Sequence, residues 1–69
     1  MHQLNHDFVF RLINLINDAE IHHQKVIDFA EHVDMKNEEA QNAANMLIHS
    51  HSQRVQELKL ILTNYINLS

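Results

Sequence analysis

Three residue types that usually turn or cross-link a small protein are missing from this 69-residue chain, which has no cysteine, no glycine and no proline. Without cysteine no disulfide can stabilise so small a core, so a bound metal or a partner subunit becomes the expected substitute. Without glycine and proline the tight turns of an all-β fold are difficult to build. We therefore expect an all-α protein.

Basic side chains and long apolar runs are also scarce. Five Lys and Arg stand against nine Asp and Glu, for a formal charge of −4, and no basic stripe exists for a nucleic-acid backbone to contact. No apolar run exceeds three residues, whereas a membrane span needs about 20. The first residues lack the basic start and apolar stretch of a signal peptide. These absences predict a cytoplasmic protein with no nucleic-acid or membrane partner.

In the first half of the chain, apolar residues recur at steps of three and four, which is the helical period. They form two adjacent rows, one of Phe8, Leu12, Leu15, Ala19, His22, Val26, Phe29 and Val33, the other of Val9, Ile13, Ile16, Glu20, His23, Ile27 and Ala30. Two adjacent rows make a stripe that is wider than a single neighbouring helix covers. The width favours a four-helix bundle.

The second half of the chain repeats the helical pattern in a different phase. Its apolar face consists of Ala44, Leu47, Ile48, His51, Val55, Leu58, Ile61, Leu62 and Tyr65. The change of phase predicts a helix at about 6–33, a turn at about 34–37 and a helix at about 38–66, with Asn5 and Asn37 as N-caps. We expect an antiparallel two-helix hairpin that pairs with a second copy as a homodimeric four-helix bundle.

A single continuous helix in a parallel coiled coil is the alternative, since no glycine or proline forces a turn. The change of phase disfavours it. In the hairpin, residues whose numbers sum to about 73 meet in layers, and nearly every layer is apolar. The layer at mid-height differs, because it brings His22 or His23 to His51.

This central cluster is the candidate functional site. Glu20 and His23 have the i, i+3 spacing by which bundle helices direct two ligands at one metal, and His22 and His51 lie beside them. We therefore predict Glu20, His22, His23 and His51 as metal ligands. The alternatives are a polar layer that fixes the register of a dimer and an acid-sensitive assembly switch.

The other histidines and the serines beside them offer little chemistry. His2, His6, His32 and His49 fall at the terminus or on outer faces, where solvated side chains are expected. In His49-Ser50-His51-Ser52, neighbouring positions diverge by about 100° along a helix and cannot form a nucleophile and base pair. Catalysis without a metal is therefore disfavoured, and no catalytic residue is predicted.

The stretch from Ala19 to Leu62 resembles the ferritin-like families of small bacterial helical-bundle proteins. One of these families is secreted and copper-associated, and its His-His-Gln signature is similar to His22-His23-Gln24 followed by a small apolar helix. A related family of unknown function has a pattern like Leu47-Ile48-x-x-His51. The resemblance implies a ferritin-like bundle that binds a metal at its centre.

The sequence also departs from these families. Ferritin-like di-iron sites use a carboxylate from each helix, whereas the second helix here offers His51, and imidazole suits copper or zinc as well as iron. The methionine that precedes the histidine pair in the copper-associated family is missing, and a chain with one hairpin would have to dimerise to regain four helices. The resemblance implies a homodimeric protein that binds a copper, zinc or iron ion.

Two other functions remain open. The chain could be a nonenzymatic interaction protein, an adaptor or inhibitor that docks a protein partner, in which the histidine layer only sets dimer register. It could also be a binary-patterned artificial sequence, since it has no glycine or proline and many His, Asn and Gln. The small alanines near the turn favour a natural chain.

Overall fold

The computed structural model describes residues 4–68, which fold as two α-helices joined by a short turn. The first helix, α1, runs over His6–Glu31 and the second, α2, over Glu38–Asn67. They pack against each other as an antiparallel hairpin, so the predicted all-helical hairpin is confirmed. Within residues 4–68 no helix combines the length and the apolar character needed to cross a membrane.

Both helices begin at an asparagine. The side chain of Asn5 accepts a hydrogen bond from the backbone N–H of Phe8 at 3.0 Å, and that of Asn37 accepts one from Ala40 at 3.0 Å. Each bond satisfies an N–H group that has no partner within its own helix. Glu38 in the first turn of α2 adds a negative charge at the positive end of the helix dipole.

The turn is built from polar side chains. At the end of α1, Nδ1 of His32 lies 2.7 Å from the carbonyl oxygen of Asp28, which would otherwise lack a partner at the helix terminus. In the turn itself, the N–H of Lys36 donates to the side chain of Asp34 at 2.9 Å. No residue in the described range has a positive φ, which explains how the chain reverses without glycine.

The contact between the helices buries few side chains. Only Leu12, Ile16, Ala44 and Val55 are buried among residues 4–68, with exposed fractions of 6%, 7%, 4% and 8%. We call the line of these four residues the seam. Leu12 comes from one predicted row and Ile16 from the other, so the helices meet along the boundary between the two rows.

The hairpin is a single layer. It measures 57 × 15 × 9 Å and its radius of gyration is 16.2 Å, whereas a compact domain of this length has a radius of gyration of about 11 Å. Stable domains generally bury apolar surface between at least two layers of secondary structure. One layer of two helices leaves both of its broad sides open.

Candidate functional site

Helical periodicity places a row of large apolar side chains on one broad side of the hairpin. Residues seven apart lie two turns apart on nearly the same side of a helix. We define the apolar face by such residues: Phe8, Leu15, His22 and Phe29 of α1, with Leu47 and Ile61 of α2 and Leu68, which caps its C-terminus. Arg54 occupies the remaining position of the α2 row and is exposed.

An ion pair between α1 and α2 identifies the other broad side of the hairpin. Nζ of Lys59 lies 2.9 Å from a carboxylate oxygen of Glu20. Positions two apart in a helix point about 200° apart, so His22 and Ile61 lie on the other side from Glu20 and Lys59. We call the side of this ion pair the polar face, which also includes Gln24 and Gln56.

The apolar face remains largely uncovered within one chain. Leu15 is 56% exposed, Phe29 59% and Ile61 50%. A shallow depression lined by Ala43, Met46, Leu47 and Ser50 opens near the turn end of this face. In knobs-into-holes packing, a depression between the side chains of one helix receives a side chain from another helix.

Two of the four predicted ligands meet where the apolar face adjoins the seam. The rings of His22 and His51 have centroids 4.6 Å apart and planes inclined at 59°. His51 is half-buried and His22 is exposed. The layered pairing predicted this contact, just as it predicted the contact between Phe8 and Tyr65, whose ring centroids are 4.7 Å apart.

The other two predicted ligands lie elsewhere. Glu20 is on the polar face, where its ion pair with Lys59 is about half exposed, with side-chain exposures of 48% and 56%. Sequence reasoning missed this pair, because Lys59 lies outside the layer of Glu20 and only the length of both side chains lets them meet diagonally. The carboxylate of Glu20, which was expected to face the histidines, is instead bound to Lys59.

His23 is half-buried between the helices. Its Nδ1 atom is enclosed and makes no hydrogen bond within the described part of the chain. Leaving such an atom unpaired costs about 1–3 kcal/mol, and His23 lies beside the seam. A larger assembly that closes over the hairpin would not relieve this cost, because the atom is already enclosed.

The described part of one chain does not bring together a complete metal site. Over residues 4–68 no group of three or more His, Cys, Asp or Glu side chains is placed where it could hold a metal ion. His6, His32 and His49 are exposed, as expected for solvated side chains, and His2 lies outside the described residues. One hairpin contributes the His22–His51 pair, and metal ligation by Glu20, His22, His23 and His51 stays a prediction.

No family model, curated protein or solved structure matches the chain. The resemblance to ferritin-like families therefore stays a prediction, as does the ligand set that it implies. The geometry of the apolar face and of the histidine pair carries the functional interpretation.

Proposed function

We propose that this chain is a nonenzymatic interaction protein whose working unit is a homodimer, in which two hairpins pair through their apolar faces as a four-helix bundle. The observation that carries the proposal is the exposure of large apolar side chains along one side of a single-layer fold. Phe29, Leu15 and Ile61 are each at least half exposed, and they lie on the same broad side of the hairpin. Large apolar side chains grouped on one side of a small protein are typical of an interaction site.

The solvent-accessible area of one chain is large enough to supply a dimer interface of standard size. The hairpin exposes 5680 Å², whereas a compact monomer of 8.1 kDa exposes about 4,500 Å². The excess of about 1,200 Å² per chain exceeds the roughly 800 Å² that each partner contributes to an interface of standard size. A second hairpin laid on the apolar face would remove an area of this order.

The pattern of the face favours a second copy as the occupant. A two-fold interface must be complementary to itself, and here both helices carry the same seven-residue spacing, with the aromatic knob of Phe29 and the depression at Leu47 on one surface. Arg54 is the one charged residue in these two rows, and its long aliphatic stem can lie along the edge while its guanidinium stays in water.

Transition-metal binding is the second candidate function, and the close approach of His22 and His51 favours it. Copper, zinc and iron all accept imidazole. A metal held by these residues would stabilise the bundle, and an adaptor or inhibitor role toward another protein would then use the outer surface of the assembled dimer.

The dimer is tested by a matched pair of substitutions two residues apart. Leu15→Glu places a charge on the apolar face, whereas Ile13→Glu places the same charge on the polar side, where Ile13 is 42% exposed. Sedimentation velocity over a dilution series of metal-free protein should show a dimer for the wild type and for Ile13→Glu, and a monomer for Leu15→Glu. A monomeric wild type at every concentration, or an unchanged dimer in Leu15→Glu, would overturn the proposal.

A further inference from the structure

The His22–His51 pair lies at mid-height of the hairpin, with His22 exposed on the face that the proposed dimer buries and His51 half-buried beside the seam. We infer that two such pairs, one from each copy, form a four-imidazole site for a transition-metal ion such as Zn²⁺ or Cu²⁺ across the interface. This inference rests on the homodimer proposed above, and it names the ligands that the sequence alone could not select.

The spacing of the two rings suits chelation of one ion. A metal–nitrogen bond of about 2.0–2.1 Å at angles between square and tetrahedral places the centroids of two bound imidazoles about 4.5–5.2 Å apart. The observed separation is 4.6 Å, with the planes inclined rather than stacked. The two rings are therefore close enough for one nitrogen of each to bind the same ion, once side-chain rotation directs both nitrogens at it.

The pair is incomplete in one chain, and the dimer completes it. A closed tetrahedral site needs four ligands, yet within residues 4–68 no third His, Asp or Glu joins the pair, and Glu20 is engaged by Lys59 on the opposite face. The exposed ring of His22 points into the space that the partner would fill. The missing ligands therefore have to come from the second copy.

The height of the pair makes this meeting geometrically simple. His22 lies about 5 Å along the axis from the middle of α1, and His51 about 2 Å from the middle of α2, at 1.5 Å per residue. If the two turns lie at the same end of the dimer, symmetry places both pairs at equal height. If the turns lay at opposite ends, the two His22 residues would be about two helical turns, roughly 11 Å, apart along the axis. One ion could not then bind both pairs, so the inferred site requires the turns to lie at the same end.

The chemistry of the ligands and their surroundings selects the ion. Four neutral imidazoles without thiolate or carboxylate suit Zn²⁺ and Cu²⁺ and disfavour Mg²⁺ and Ca²⁺, which require oxygen ligands. Apolar residues on the same face, seven residues to either side of His22, would exclude water from the bound ion. The exposed guanidinium of Arg54 is the nearby charge that opposes a cation, and its removal should tighten binding.

The test uses the full chain without an affinity tag, freed of metal by a chelator and titrated with Zn²⁺ and then Cu²⁺ by isothermal calorimetry. We expect one ion per two chains. His51→Ala should weaken binding by more than the roughly 10–100-fold that the loss of an outer-shell partner costs, because it removes two of the four ligands. His22→Ala should behave in the same way.

Two histidine variants serve as matched controls. His49→Ala changes an exposed imidazole of the same helix, and His23→Ala changes the neighbour of His22 that faces the seam. Both should retain the wild-type affinity. Loss of binding in His23→Ala with retention in His22→Ala would overturn the assignment of ligands.

Sedimentation with and without metal separates this inference from the proposed dimer. The bound ion should lower the dissociation constant of the dimer. The factor should equal the one by which dimerisation increases the affinity for the metal, because the two equilibria are linked. A metal-free dimer that binds neither ion more tightly than millimolar would overturn the metal site and leave the dimer standing. If the monomeric Leu15→Glu variant bound Zn²⁺ or Cu²⁺ as tightly as the wild type, the inference that two chains share one metal site would be wrong.

Discussion

The seam and the apolar face of this hairpin are both apolar, but they differ in the size of their side chains. Two of the four buried seam residues are the small Ala44 and Val55, whereas the face carries Phe8 and Phe29, which are 42% and 59% exposed. Small residues let the two helices approach closely. Phe8 contacts Tyr65 across the helices but remains partly exposed, and Phe29 is exposed. The comparison separates the residues that hold one chain together from the exposed residues on which the proposed pairing of two chains would depend.

The largest expected effect tests the seam. Leu12→Ala removes a side chain that is only 6% exposed, and it should lower the free energy of unfolding by about 2–4 kcal/mol through lost burial and the cavity that remains. The same change at Leu60, which is 60% exposed, should cost much less. Urea titrations at one fixed protein concentration measure both, since the stability of a dimer depends on concentration. Equal losses at the two positions would erase the distinction between seam and surface.

A second, smaller effect sharpens the role of the face. Phe29 and Ile21 have nearly equal exposures of 59% and 57%, but Ile21 lies on the side of α1 that is turned away from α2. Phe29→Ala should weaken dimerisation by about 1–3 kcal/mol, a factor of roughly 5–150, as expected for an interface side chain that becomes buried. Ile21→Ala should leave dimerisation unchanged. Sedimentation equilibrium distinguishes the two, and an equal loss in both variants would mean that exposure alone, without position, governs association.

The smallest effect concerns the polar face. Glu20→Gln removes the ion pair with Lys59, whose side chains are about half exposed, and it should change the free energy of unfolding by less than about 1 kcal/mol. It should leave metal affinity unaltered, because His22 and His51 lie on the other side. Calorimetric titration of this variant with Zn²⁺ provides the measurement. A large loss of affinity would restore Glu20 as a ligand.

Local signals made the helices predictable from the sequence. Asn5 and Asn37 cap them as expected, and the start of α2 at Glu38 follows from its cap. α1 ends at Glu31, two residues before the predicted limit, because His32 bonds back to the carbonyl of Asp28 and closes the last turn. A histidine in this position carries no strong stop signal, so the sequence could not indicate that end.

Tertiary detail was harder to predict. Both rows of α1 are apolar, so their pattern does not say which row the second helix covers, and the structure divides the burial between Leu12 and Ile16. The meeting of His22 with His51 followed from their equal height in the hairpin. The diversion of Glu20 to Lys59 did not, because a contact between two long side chains depends on reach rather than on spacing.

At the open end of the hairpin, a hydrogen bond joins the start of α1 to the end of α2, and it can form only when the two helices are packed together. The hydroxyl of Tyr65 accepts the backbone N–H of Asn5 at 3.0 Å, across 60 positions of sequence. Tyr65 is the chain's single tyrosine, and the chain has no tryptophan. The tyrosine fluorescence of the protein therefore comes from the open end of the hairpin, where α1 and α2 are joined. A change in this fluorescence should report separation of the two helices.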